Sequence, residues 1–165
     1  MNNFTKYIFV IAVLLAFAPQ FVFAHQPRIV KSNFVIINNP EVSQAFYGEL
    51  KGTSTEFQIV SEKDFVLYTG ILVPDIPNVK KDISVNIYMI DGTNKELVAT
   101  LDGGKFDWAP YYEGFAKDNY FWGPEFKALN SSKDTGLVGQ PMKGGDYRIV
   151  VYLSLIHISE PTRPY

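Results

Sequence analysis

Residues 83–101, ISVNIYMIDGTNKELVATL, decide the fold class. Ile83, Val85, Ile87 and Met89 alternate with Ser84, Asn86, Tyr88 and Ile90, and this two-residue period sorts side chains onto the two faces of a strand. Asp91-Gly92-Thr93-Asn94 then turns the chain, and residues 96–101 return with Leu97, Ala99 and Leu101 on one face. Asp-Gly between alternating apolar runs is a strong short-range signal for a β-hairpin.

The same period extends outward in both directions. In residues 56–61, EFQIVS, Phe57 and Ile59 share one face and Gln58 and Val60 the other. Residues 65–73, FVLYTGILV, form one longer apolar run that stops at Pro74-Asp75-Ile76-Pro77, where prolines cannot donate to a ladder. Gly145-Asp146 opens a final strand in which Tyr147, Ile149 and Val151 oppose Arg148, Val150 and Tyr152. Shorter runs at 34–37 and 45–50 complete the set, the first closed by Asn38-Asn39-Pro40. No stretch of the body sustains a helical period, and no internal repeat is present. The expectation is an all-β fold, an antiparallel β-sandwich or jelly-roll-like domain, open to being incomplete at its C-terminal end. Residues 106–129 interrupt the strand pattern and read as a long ordered insertion or crossover with room for a helical turn. Residues 130–145, rich in Ser, Lys and Gly, read as a loop before the last strand.

The ends carry separate messages. Lys6, the apolar run 7–18 (YIFVIAVLLAFA), Pro19 and Val22-Phe23-Ala24 have the layout of a secretory signal peptide cleaved after Ala24. An uncleaved anchor is the alternative, but the run falls short of the roughly 20 residues that span a bilayer. The expected division is therefore a signal peptide over 1–24 and an exported, extracytoplasmic domain over 25–152, in a periplasmic, secreted or surface-attached setting. Residues 153–165 resemble the in-frame translation of a sequencing adapter, since LSLIHISEPTR back-translates to that adapter without a mismatch. That tail is expected to be non-native, so a membrane could be reached only through a lost C-terminal segment. His157, Glu160 and Arg163 are set aside as chemistry.

Composition narrows the function classes. The chain has 15 Lys and Arg against 17 Asp and Glu, a net charge of −2, which lacks the basic footprint that nucleic acid requires. It has no cysteine, so disulfides, thiolate metal sites and a lipidated cysteine at the cleavage site are all excluded.

Taken together, EFQIVS, FVLYTGILVP, SVNIYMIDGTNKELVATL and GDYRIVVYL resemble the strand order of the pre-peptidase C-terminal type β-sandwich over residues 56–152. The Gly145-Asp146-Tyr147 opening of the last strand is part of that resemblance. It implies a secreted accessory domain, although residues 106–129 are foreign to the pattern. The segments NPEVSQAFYGEL and YYEGFAKDNYFWGPEF also resemble uncharacterised exported bacterial proteins, which implies no activity.

Aromatic residues are densest in 106–126: Phe106, Trp108, Tyr111, Tyr112, Phe115, Tyr120, Phe121, Trp122 and Phe126, interleaved with Asp107, Glu113, Asp118 and Glu125. Flat rings beside carboxylates suit a glycan platform, and Tyr and Trp are equally at home in a protein contact. The plainer alternative is burial, because a long crossover stays ordered by burying aromatic area. The candidate ligand or interaction residues are Trp108, Tyr111, Tyr112, Glu113, Tyr120, Trp122 and Glu125. Glu113 and Glu125, beside aromatics, are also the candidate pair for glycoside hydrolysis, which needs two carboxyls at a set spacing.

Two metals enter as candidates. Cleavage would make His25 the first residue, offering an amine and an imidazole to copper, with Met89, Met142 or a carboxylate as supplements. Calcium could use Asp91 to Asn94 with Glu96, or Asp102 with Asp107, although the spacing of a calcium-binding loop is missing. Ordinary turns explain those acids as well. No phosphate loop, dinucleotide fingerprint or zinc-protease motif is present, and Ser131-Ser132-Lys133 has no histidine partner for a catalytic triad. The function expected is a non-enzymatic exported binding or interaction module at the bacterial cell envelope, with an unknown protein or glycan as partner. The alternative is a carbohydrate-active or metal-dependent exported domain.

Overall fold

The computed structural model describes residues 26–114, 117–130 and 138–154. The signal-peptide region, His25, Phe115, Ser131-Ser132-Lys133 and residues 155–165 lie outside the described residues. The described chain is all-β, with no helix.

Its strands are β1 (Gln26–Ile29), β2 (Phe34–Ile36), β3 (Gln44–Tyr47), β4 (Thr55–Ser61), β5 (Phe65–Leu67), β6 (Thr69–Pro74), β7 (Ile83–Asp91), β8 (Asn94–Leu101), β9 (Ala109–Glu113), β10 (Asp118–Phe126), β11 (Gln140–Met142) and β12 (Gly145–Leu153). A five-stranded sheet runs β2-β4-β12-β7-β8, a three-stranded sheet runs β6-β10-β9, and β1-β3 and β5-β11 form two-stranded pairs.

The five-stranded sheet follows from the alternations in the sequence. Register aligns Phe57 with Ile149, and Ile149 with Ile87, so apolar residues of three neighbouring strands fall in one row. Ile59 and Ile87 are fully buried, whereas Val60 on the opposite face of β4 is 61% exposed. The buried cluster joins Phe57, Ile59, Val85, Ile87, Leu101, Tyr147 and Ile149 of this sheet to Phe65, Leu67, Ile71 and Met142 of the smaller ones. Thr55 and Ser84 are the buried polar residues among those described, and the Ser84 hydroxyl accepts from the Gly103 N–H at 3.0 Å and is shared with Ser154.

Several expectations are corrected. Leu97 does not share a face with Ala99 and Leu101: the register slips where Ile87 faces Ala99 but Tyr88 faces Leu97. The extra residue, Val98, makes a bulge that turns Leu97 outward, and it is 53% exposed. The sheets are not wholly antiparallel, because β1 pairs parallel with β3 and β2 pairs parallel with β4. Parallel neighbours need a crossover of about a dozen residues, and the connection from Ile36 to Thr55 by way of β3 is long enough. The run 65–73 splits at Tyr68 into β5, which pairs with β11, and β6, which pairs with β10. Phe65, Leu67, Ile71 and Val73 stay buried across that break, so the apolar period continues while the hydrogen-bonding partner changes. Residues 106–129 hold no helical turn among the described residues but the β9–β10 hairpin, and the loop expected over 130–145 contains β11.

Ile87→Ala, which leaves a cavity at the centre of the largest sheet, should cost about 2–5 kcal/mol in urea unfolding. Val60→Ala, on the exposed face, should stay within about 0.5 kcal/mol. Equal losses from the two substitutions would contradict the assigned faces.

Candidate functional site

The β9–β10 hairpin sorts the candidate residues by the parity of its register. Glu113 pairs with Asp118, Tyr111 with Tyr120 and Ala109 with Trp122, while β6 brings Leu72 opposite Trp122 and Gly70 opposite Glu125. Directly paired residues point to the same side of a sheet. On β6, Ile71 and Val73 are buried and Leu72 is 42% exposed, so the Leu72 side faces outward. A register shift between Trp122 and Glu125, across the buried Gly123-Pro124, keeps Glu125 on that side. Five of the seven candidates, Tyr111, Glu113, Tyr120, Trp122 and Glu125, therefore share the outer face of the three-stranded sheet.

Trp108 and Tyr112 do not join them. Trp108 precedes β9 and packs against the buried cluster, and its indole N–H donates to the Gly103 carbonyl at 2.8 Å. Its ring lies so close to Gly123 that a Cβ there would stand 2.5 Å from ring carbon Cζ3. Trp108 is thus a wedge of the fold. Tyr112 pairs with Asn119 on the opposite side of the hairpin and is 59% exposed. Phe121 also lies on that side, opposite Val73, with the Lys81 ammonium 3.9 Å from its ring centroid.

On the outer face, Tyr111 and Trp122 meet edge to face, with centroids 4.7 Å apart and planes at 76°. With Trp108 packed against the core and Trp122 on the outer face, the two tryptophans do not share a platform. Glu125 anchors the far end. Its carboxylate accepts from the Tyr68 hydroxyl at 2.6 Å and from the Lys127 ammonium at 2.8 Å, and its side chain is only 9% exposed. Burial opposes its charge, but hydrogen bonds from Lys127, Tyr68 and the Trp122 side chain outweigh that and hold the carboxyl below its usual range. Burial and the adjacent Glu125 charge push the Tyr68 hydroxyl strongly upward, so it remains a neutral donor. Burial, with smaller effects from Tyr47, Asp118 and Glu113, also raises Tyr120.

Glu113 and Glu125 cannot act as a glycosidase pair. Glu113 is level with Asp118, and Asp118 and Glu125 stand at opposite ends of β10. At about 3.3 Å per residue, with one of the seven residues absorbed by the register shift, that separation is roughly 20 Å, against the ~5–9.5 Å that hydrolysis requires. The calcium candidates serve turns. Asp91 pairs with Asn94 across a two-residue loop whose first position, Gly92, has φ 58°, as a type II′ turn requires. Asp102 accepts from the Gly104 N–H at 3.1 Å and pairs with Lys105 at 3.1 Å. Among the described residues, no three His, Asp or Glu side chains gather as metal ligands, and His25 is not among those residues. Met89 and Met142 lie in or against the buried cluster. A depression of about 310 Å³, lined by Val98, Phe126, Gln140, Met142, Lys143 and Tyr147 among others, contains none of the candidates.

Tyr68, Leu72 and Lys127 belong to this face and were not singled out from sequence. The one local signal was Tyr68-Thr69-Gly70 inside an apolar run: a Cβ on Gly70 would stand 2.8 Å from the Tyr68 hydroxyl, so glycine lets the phenol reach Glu125.

No family model matches the chain, and comparisons with curated proteins and with solved structures return no similar protein.

Because the folded Glu125 carboxyl lies below its ordinary value of 4.5, the native state binds fewer protons than the unfolded chain as pH falls past that value. The stabilisation from Glu125 should be present in full above that pH and be lost as pH drops through the lower folded value. Melting temperature against pH should show this loss, and Glu125→Gln should flatten it. Tyr68→Phe removes a hydrogen bond to a charged, buried acceptor and should cost about 1–3 kcal/mol at neutral pH.

Proposed function

We propose that the chain is an exported, non-enzymatic β-sandwich domain that binds a partner at the bacterial cell envelope through the outer face of its three-stranded sheet. The observation that carries this reading is the sharing of that face by Tyr111, Glu113, Tyr120, Trp122 and Glu125. Aromatic rings and carboxylates set together on a sheet supply contact area and orientation, the two things a recognition surface needs. A sandwich is supported by a core that draws on the five-stranded sheet and on the smaller sheets together. Export is supported by the signal-peptide layout of residues 1–24. A binding role rather than hydrolysis is supported by the wide spacing of Glu113 and Glu125 and by the engagement of Glu125 with its own neighbours.

The test uses the two indole N–H signals of the chain's two tryptophans in nitrogen–proton correlation spectra. Titration with envelope glycans and with peptides should move the Trp122 signal and leave Trp108, which is bonded to Gly103, in place. Tyr111→Ala should abolish the shift. Mass spectrometry of exported material should find His25 at the N-terminus, and retention of residues 1–24 would contradict cleavage.

A further inference from the structure

Independently of the binding role of the small sheet, we propose that the chain forms a symmetric dimer through the outer face of its five-stranded sheet, with a two-fold axis running along β12. Each copy lays β2 over the partner's β8 and β4 over the partner's β7.

The bulge at Val98 is the first observation. Unbroken alternation would keep Leu97 on the inner face with Ala99 and Leu101, but the bulge sets it on the outer face opposite Tyr88, where solvent reaches it. Bulges re-aim side chains, and a leucine turned out of the core forfeits burial that would stabilise the single chain. A local rule broken without gain to the fold points to function. At the other end of the same row, β2 sets Ile36 level with Gln58, Arg148, Tyr88 and Leu97, and Ile36 is 58% exposed. Exposed Phe34 and Val60 extend the Ile36 flank, and Ile90, level with Val60 across Asp146, extends the Leu97 flank. The face therefore carries two apolar flanks with a polar strip between them.

Strand order makes the two flanks fit each other. β12 is the middle strand of the five, so a two-fold axis along it carries each flank onto the opposite one. Ile36 then meets the partner's Leu97, and Val60 meets the partner's Ile90. The polar strip brings no net repulsion. Glu56 and Asp146 pair with Arg148 at 3.0 and 3.2 Å, and Lys95 lies 4.0 Å from the Tyr88 ring centroid. Two acids and two bases cancel, and like charges meeting across an interface are what excludes a wrong partner. Size fits as well. Five strands about 4.8 Å apart, the longest of nine residues, span roughly 24 by 30 Å, which is on the order of the ~800 Å² that each partner gives to a stable interface. Face-to-face packing with nearly aligned strands is the ordinary way two sheets meet, and two-fold pairs are the commonest oligomers.

Sedimentation equilibrium of the full chain should show a dimer. Leu97→Lys should weaken it about tenfold or more, because a two-fold interface meets each substitution twice. Leu72→Lys, on the outer face of the three-stranded sheet, should leave it unchanged. Leu97 is exposed in the single chain, so the near-ultraviolet circular dichroism of Leu97→Lys should match the parent's and separate lost pairing from lost folding. At dilutions where the copies part, Val60 is open to solvent, and its truncation to Ala is near-neutral there. Orientation is read from cross-links, because the chain has no cysteine of its own. Facing sheets stand about 10 Å apart, beyond the reach of a disulfide, so a short bismaleimide serves. A mixture of Ile36→Cys and Leu97→Cys chains should cross-link. Neither variant alone should, because its two cysteines would lie about 19 Å apart across the sheet. Cross-linking of either variant with itself, or absence of the mixed product, would overturn the axis along β12. A parent that stays monomeric at every concentration would overturn the proposal, as would a dimer dissolved by Leu72→Lys and not by Leu97→Lys.

Discussion

The fold rests on the position of β12. This strand is the last described in the chain, yet it is hydrogen-bonded on both sides, to β4 along one edge and to β7 along the other. Without it the five-stranded sheet falls into two unconnected pairs, β2-β4 and β7-β8. The buried row of Phe57, Ile149 and Ile87 exists only because β12 sets both registers at once. A one-residue slip would turn Tyr147 and Ile149 outward and bring Arg148 into the core. The outer-face network helps to exclude that slip. Gln58 donates to Asp146 at 3.1 Å, and Arg148 reaches across to Glu56, so polar groups on one side and apolar groups on the other specify the same alignment. Because these pairings join residues far apart in sequence, closure of the sheet is expected to be slow relative to formation of the β7–β8 hairpin.

The three-stranded sheet is held differently. Its hairpin leans on the core through Trp108 and Phe126, and β6 contributes Ile71 and Val73 from beneath. Gly123 is the point of closest approach, where the Trp108 ring and the Ile71 carbonyl leave no space for a side chain. That wedge fixes how the hairpin lies, and so fixes the outward direction of Tyr111, Tyr120 and Trp122. The residues that look most like a binding platform in the sequence thus divide into one that builds the surface and others that form it.

How much was legible in the sequence depended on whether local period and long-range pairing agreed. In β4, β7 and β12 the alternation is unbroken and one face is buried, so Phe57, Ile59, Ile87 and Ile149 could be assigned from period alone. In β8 the bulge at Val98 changed the face of Leu97, and nothing in Leu-Val-Ala-Thr announces a bulge. In residues 65–73 the period holds while the hydrogen-bond partner switches, a change that only the positions of β10 and β11 reveal. The hairpin over 109–126 was missed because its apolar and aromatic residues occupy both faces, as Tyr111 and Tyr112 show. Its carboxylates and rings were nevertheless identifiable by composition, and strand parity then selected five of the seven.

The bulge in β8 has a bearing beyond register. β8 is one of the two outer strands of its sheet, opposite β2, and carries Lys95 and Glu96, while the edge strands of the three-stranded sheet, β9 and β6, contain Pro110 and Pro74. Bulges, charged side chains and proline each spoil the flat row of free amides that another strand would need for pairing. Along those three edges, strand-to-strand zipping onto a neighbour is thereby discouraged. Contact at those edges is steered toward side chains and away from backbone, which leaves selectivity to the side chains a β-rich surface displays.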